Sequence, residues 1–148
     1  MALGTAQLGM DYGITNFSGK PIKKEVFNIL DLAWEKGIRR FDTAPGYGSG
    51  ALLGEFIITN ALGNEAIVLT KIPSLEGASD YETFVRTSLE LSLKNLGCTI
   101  DVLFFHNPAD SKLLLEYPEF FEKLMYENLY STLGVSVYEP EEIEKLLD

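Results

Sequence analysis

The sequence predicts an α/β protein built on a parallel β-sheet. Short β-like runs alternate five times with segments of helical periodicity, so each strand is followed by a helix that crosses back over the sheet. No dipeptide of the Asn-Gly kind joins two strand-like runs, which removes the strongest signal for antiparallel hairpins. The 148 residues, 46% hydrophobic and 23% charged, suffice for one domain with a sizeable core. Such a chain builds either an open doubly wound sheet or a β/α barrel.

Each element has a local reason. Residues 2–5 are a short apolar start that reads as a strand. Residues 21–36 place Val26, Ile29, Leu30, Ala33 and Trp34 at helical spacing, and Gly37 follows as a stop. Residues 38–42 form the second strand. Residues 50–61 form a helix with Leu52, Leu53, Phe56 and Ile57 on its apolar face. Residues 66–71 contain the run AIVLT, which suits a strand buried on both faces. Ser79 and Glu82 fit the S-x-x-E capping box and open a helix that reaches Leu96, with Gly97 as its stop. Residues 101–106 (DVLFFH) and 132–136 are strands. Residues 118–126 and 139–147 are helices, with Pro140 in a first turn where a missing N–H costs little. Trp34, Cys98, Phe104 and Phe105 read as packing residues. No linker, low-complexity segment or second domain interrupts residues 1–148.

The formal charge is −10, which argues against a nucleic-acid partner, because neutralising phosphates needs clustered Lys and Arg. Residues 116–148 supply −7 of that charge, and solvated faces of outer helices account for it better than an acidic docking surface. No apolar run approaches the roughly 20 residues that cross a bilayer. The first ten residues lack the pattern of a signal peptide. A single cysteine builds neither a disulfide framework nor a multi-cysteine metal site. A cytoplasmic protein with no membrane partner is the expectation.

In both parallel architectures functional groups collect at the carboxyl ends of the strands. Here those ends carry Asp42, followed by Tyr47; then Lys71; then His106, the only histidine, followed by Asn107; and Ser136. Taken singly, Asp42 reads equally as a helix cap, Tyr47 as a loop aromatic and His106 as a satisfied core or surface group. A lysine ending a buried strand must reach solvent or find a partner. Together, an acid, a tyrosine, a lysine and a histidine at one end of consecutive strands form a site. The neighbouring glycines, Gly46, Gly48 and Gly50, do not satisfy G-x-G-x-x-G, since Ala51 or Leu53 falls at the last position. They read as turn residues around Tyr47.

These residues carry a family resemblance. The stretch GIRRFDTAPGYGSGALLGEFI, residues 37–57, resembles the aldo-keto reductase signature, an Asp-Thr-Ala-x-x-Tyr core before a glycine-containing helix. LGTAQLGMDYGI at the start, VLTKI around Lys71, DVLFFHNP around His106 and LGVSVYEPEEIEKLL near the end are similar to further stations of the bacterial branch, in order. The resemblance implies a parallel (β/α)8 TIM barrel, of which five units are present. Since that barrel takes about 250 residues, the chain is expected to be truncated at its carboxyl end.

It also implies a reaction: reduction of a small-molecule aldehyde or ketone by NADPH, with NADH as the alternative cofactor. Tyr47 would be the general acid, Lys71 the cation that eases its ionisation, Asp42 the lysine's anchor, and His106 the donor that orients the carbonyl. Gly4 and Thr5 would lie beside the nicotinamide, with Asp42 adjoining it and Ser136 on its carboxamide. Val137 stands where many relatives have asparagine. Asn107 would line the substrate pocket or turn the chain before Pro108. Two other readings use the same scaffold: a non-catalytic cofactor-sensing or interaction subunit, and an aldolase or lyase with Lys71 as Schiff base.

Overall fold

The computed structural model describes residues 1–147. Its five strands are β1 (Ala2–Gly4), β2 (Arg40–Asp42), β3 (Ile67–Ile72), β4 (Val102–Phe105) and β5 (Thr132–Val135). They form one sheet in the order β1-β2-β3-β4-β5, every neighbouring pair parallel. A doubly wound sheet must reverse its strand order at a switch point, and this one never does. The sheet is therefore wound in one direction, as the arc of a β/α barrel is. The expected fold class holds, with five of the eight units present.

The helices are α1 (Ala6–Gly9), α2 (Lys23–Glu35), α3 (Gly50–Thr59), α4 (Tyr81–Leu96), α5 (Leu113–Glu116), α6 (Pro118–Tyr126) and α7 (Pro140–Leu147). Strand alternation divides the sheet into two faces. Phe41, Val68, Ile72, Leu103 and Phe105 join Val26, Leu30, Phe56, Val85, Leu89 and Phe121 of the helices in one core. The alternate residues Ile67, Leu69, Val102 and Phe104 are only half-buried. The expectation that 66–71 is buried on both faces is thus corrected, because helices cover only the outer face of the arc.

Other expectations shift for identifiable reasons. Asp80, not Ser79, caps α4: its carboxylate accepts the Thr83 N–H at 3.0 Å and the Thr83 hydroxyl at 2.7 Å. Ile29 is exposed, since the buried row of α2 is Val26 and Leu30, four residues apart. Trp34 is half-buried. It stacks on Phe41 at 6.3 Å, and the Arg39 guanidinium covers it 3.8 Å from the ring centroid. The one-turn helices α1 and α5 and the 3-10 turns Pro45–Tyr47 and Pro108–Lys112 lie where only loops were expected. They are too short to show a period.

Helix packing around the site depends on one missing side chain. A Cβ at Gly54 of α3 would collide with the carbonyl oxygens of Asn95 and Leu96 at the end of α4. Backbone cannot rotate aside as a side chain can. Gly54→Ala is expected to destabilise the fold by about 2 kcal/mol or more, read as a lowered urea midpoint. An unchanged midpoint would show that α3 and α4 can separate freely.

Candidate active site

The site begins with strand register. Asp42 is paired with Leu69, and Lys71 lies two residues further along β3 on the same face. A lysine there can reach back across one strand to an aspartate. It does: Lys71 Nζ donates to Asp42 Oδ1 at 2.6 Å and to the Thr43 carbonyl oxygen at 2.9 Å. The lysine side chain is 6% exposed and the aspartate 31%. Lysine is almost never this buried without such partners.

Tyr47 ends the 3-10 turn that follows β2, its N–H bonded to the Ala44 carbonyl at 3.0 Å. Gly48 then turns the chain with φ +71°, a region that strains other residues. The reading of these glycines as turn residues holds at Gly48, whereas a Cβ at Gly46 or Gly50 would meet nothing within 4 Å. Lys71 Nζ lies 5.0 Å from the Tyr47 ring centroid. His106, one residue beyond β4, meets the Tyr47 ring edge-on, with centroids 6.1 Å apart and planes at 90°. Asp42, Tyr47, Lys71 and His106 are therefore gathered in one place.

Burial lowers the His106 pKa first, and the Lys71 charge lowers it further against the opposing pull of Asp42. The imidazole is thus neutral near pH 7, with one N–H to donate and one nitrogen to accept. The cluster carries one cation, one carboxylate, one phenol and one neutral imidazole.

The remaining expected residues divide. Gly4 is exposed at the end of β1, with nothing within 4 Å of where a Cβ would stand. Ser136 follows β5, half-buried, with its N–H on the Phe105 carbonyl at 3.0 Å. Asn107 accepts the Ala109 N–H at 3.1 Å and so caps the turn that starts at Pro108. Thr5 directly follows β1. It is fully buried, and its N–H and hydroxyl both go to the Asp42 carbonyl oxygen at 2.9 Å. Its own carbonyl accepts from Leu8. Thr5 thus ties the end of β1 to the end of β2.

Two residues at the base of the site were missed. The buried hydroxyls of Ser49 and Thr43 lie 3.0 Å apart, and Ser49 lies 2.8 Å from Thr5. Sequence offers one signal, a serine directly before a helix, and it points elsewhere, to a helix cap worth about 1 kcal/mol. Ser49 makes no such cap bond.

Comparison with known proteins agrees with this architecture. The Aldo/keto reductase family model matches residues 1–148. The D-threo-aldose 1-dehydrogenase of a Pseudomonas species is 30% identical over 83% of the chain and 47% of its own length. A solved aldo-keto reductase from Pseudomonas aeruginosa superposes with a TM-score of 0.76 at 29% identity, covering 99% of this chain and 58% of that one. A Bombyx mori aldo-keto reductase in complex with NADP gives 0.73 at 28% identity, over 99% and 49%. The chain belongs to the aldo/keto reductase family and corresponds to the amino-terminal portion of its barrel. It spans about half the length of these relatives.

Two outcomes follow from the electrostatics. Asp42→Ala strands a buried ammonium and is expected to cost about 2–3 kcal/mol, discounted for the partial exposure of Asp42. Lys71→Met leaves only a partly solvated carboxylate and is expected to cost under about 1 kcal/mol. Urea unfolding of both variants reads the asymmetry, and equal losses would contradict it. For His106, the folded pKa lies below the ordinary 6.5. Between those two values the unfolded chain binds more protons, so stability rises with pH. The contribution is complete above about 6.5 and is lost as pH falls through the folded value. His106→Gln is expected to flatten this segment of the stability–pH curve. A wild-type difference curve with no such segment would refute the assignment.

Proposed function

We propose that this site reduces the carbonyl of a small aldehyde or ketone to an alcohol, with NADPH as hydride donor and Tyr47 as general acid. The observation that carries the reading is the Lys71 ammonium, pinned by Asp42 and the Thr43 carbonyl 5.0 Å from the Tyr47 ring. A phenol titrating near 10 is a poor acid at neutral pH unless a nearby cation stabilises its anion.

The residues fit a nicotinamide. Gly4 leaves an open place at the end of β1 that a Cβ would narrow, and Ser136 follows β5 on the same rim of the sheet. When bound, this cofactor supplies the hydride that the carbonyl carbon receives. The chain's own groups do the rest. The neutral His106 donates an N–H to the carbonyl oxygen and orients it. Tyr47 gives its proton to that oxygen as negative charge develops there. Lys71 stabilises the resulting phenolate, and solvent returns the proton.

The same geometry opposes a Schiff-base role for Lys71. A nucleophilic amine must be neutral and free to approach a carbonyl, whereas this one already donates to a carboxylate and a backbone oxygen while 6% exposed.

Carbonyl-dependent NADPH oxidation is the test. Tyr47→Phe is expected to lower turnover at least 100-fold with cofactor affinity kept within about twofold. Undiminished turnover would overturn the reading, as would a borohydride-trapped adduct on Lys71.

A further inference from the structure

We propose that Ser49 is a positioning residue for this site: its hydroxyl is the middle link of a one-way hydrogen-bond chain that fixes the Asp42–Thr43 backbone and the Tyr47 turn. The proposal deepens the reductase reading and rests on it for the kinetic effect, though not for the geometry.

The direction of the chain follows from one end. Thr5 Oγ1 lies 2.9 Å from the Asp42 carbonyl oxygen, which only accepts, so Thr5 gives its single hydroxyl proton there. The 2.8 Å contact between Thr5 and Ser49 must then be Ser49 donating. With the Ser49 proton so placed, the 3.0 Å contact between Thr43 and Ser49 must be Thr43 donating. The order is Thr43 to Ser49 to Thr5 to the Asp42 carbonyl. All three side chains are buried, at 2%, 1% and 0% exposure, so bulk water cannot substitute for a missing link.

The two ends of the chain fall where the site needs rigidity. The Asp42 carbonyl receives both the N–H and the hydroxyl of Thr5. The Asp42 carboxylate and the Thr43 carbonyl receive the Lys71 ammonium from the opposite side. Two consecutive residues are thus held from the β1 side by Thr5 and from the β3 side by a cation. Ser49 is also two residues beyond Tyr47, and the segment between them lies against Gly9, where a Cβ would collide with the Tyr47 and Ser49 backbone. Ser49 is the first residue before α3, yet its hydroxyl caps no helix amide. It is directed to the strand ends instead.

Loss of the middle link should therefore act on geometry more than on binding. Small displacements of positioned groups cost up to about 100-fold in rate. In the intact chain, Ser49→Ala is expected to lower kcat per folded molecule about tenfold or more, with KM for NADPH within about twofold. Thr43→Val, which keeps the shape and removes only the first link, should lower kcat less. Ser49→Thr, which keeps the hydroxyl, should recover most of the loss. A merely structural serine would lower the thermal midpoint and leave kcat per folded molecule within about twofold, and that result overturns the proposal. So does Ser49→Thr remaining as slow as Ser49→Ala while Thr43→Val matches wild type.

A second readout needs no turnover. In protein labelled with 13C at tyrosine Cζ, the Tyr47 resonance is identified by its disappearance in Tyr47→Phe. It should move in Ser49→Ala and in Thr43→Val while that of the exposed Tyr138 stays. If the wild-type chain transfers no hydride, the reductase reading fails and this resonance alone decides the positioning role. Should Ser49→Ala not fold, Thr43→Val decides it. A Tyr47 resonance unmoved in the folded variants overturns the proposal.

Discussion

A lysine ammonium inside a sheet is the constraint from which the rest of this structure follows. Removing such a charge from water costs several kcal/mol unless partners replace the hydration shell. Lys71 finds two, a carboxylate at 2.6 Å on the last residue of β2 and a backbone carbonyl at 2.9 Å on the residue after it. That arrangement requires β2 and β3 to be parallel neighbours in one register, since a one-residue slip would send Asp42 to the helix-covered face. It also requires β2 to end at Asp42, so that the Thr43 carbonyl turns out of the ladder towards the ammonium. The chain after that point is free to form the short turn that delivers Tyr47. The geometry of the cluster and local stability here have one origin.

How much of this was legible in the sequence depends on the distance over which the cause acts. The alternation of strands and helices is local, as are the glycine stops, and Gly97 sits in the left-handed region at φ +63° as its position after α4 implied. The choice between barrel arc and doubly wound sheet was not local, because both use the same strand–helix units and differ only in where each strand is laid down. Family resemblance pointed to the barrel, and the unreversed strand order shows it. The cap of α4 slipped by one residue for a chemical reason. A carboxylate can take both the amide and the hydroxyl of Thr83, whereas a serine in the same place offers less.

The same principle separates the visible part of the site from the hidden part. Asp42 ends β2, Lys71 is the last but one residue of β3 and His106 follows β4, and a parallel topology brings strand ends together whatever the side chains do. Tyr47 follows from its distance to Asp42. The hydroxyl chain beneath them joins segments 37 to 44 residues apart, and no spacing rule relates a threonine after β1 to a serine before α3. Thr5 shows the consequence. Its position near the site was readable, but its hydrogen bonds to Asp42 and Ser49 were not, because they depend on how distant segments meet in the fold.

The neutrality of His106 belongs to the same argument as the burial of Lys71. Two cations around one phenol ring would repel each other in a partly desolvated site, and only one of them can be kept charged. The carboxylate goes to the lysine, which lies deeper and cannot reach water. Histidine, nearer the rim and without a close acid of its own, is held below its ordinary pKa by burial and by that same lysine. The cation beside the Tyr47 ring therefore also helps keep His106 a hydrogen-bond donor without charge. Replacing Asp42 would disturb both at once, since the ammonium would lose its anchor and the imidazole a nearby group that favours its protonation. The acid, the cation and the imidazole are a single electrostatic unit, and the backbone of Asp42 and Thr43 is where it is fastened.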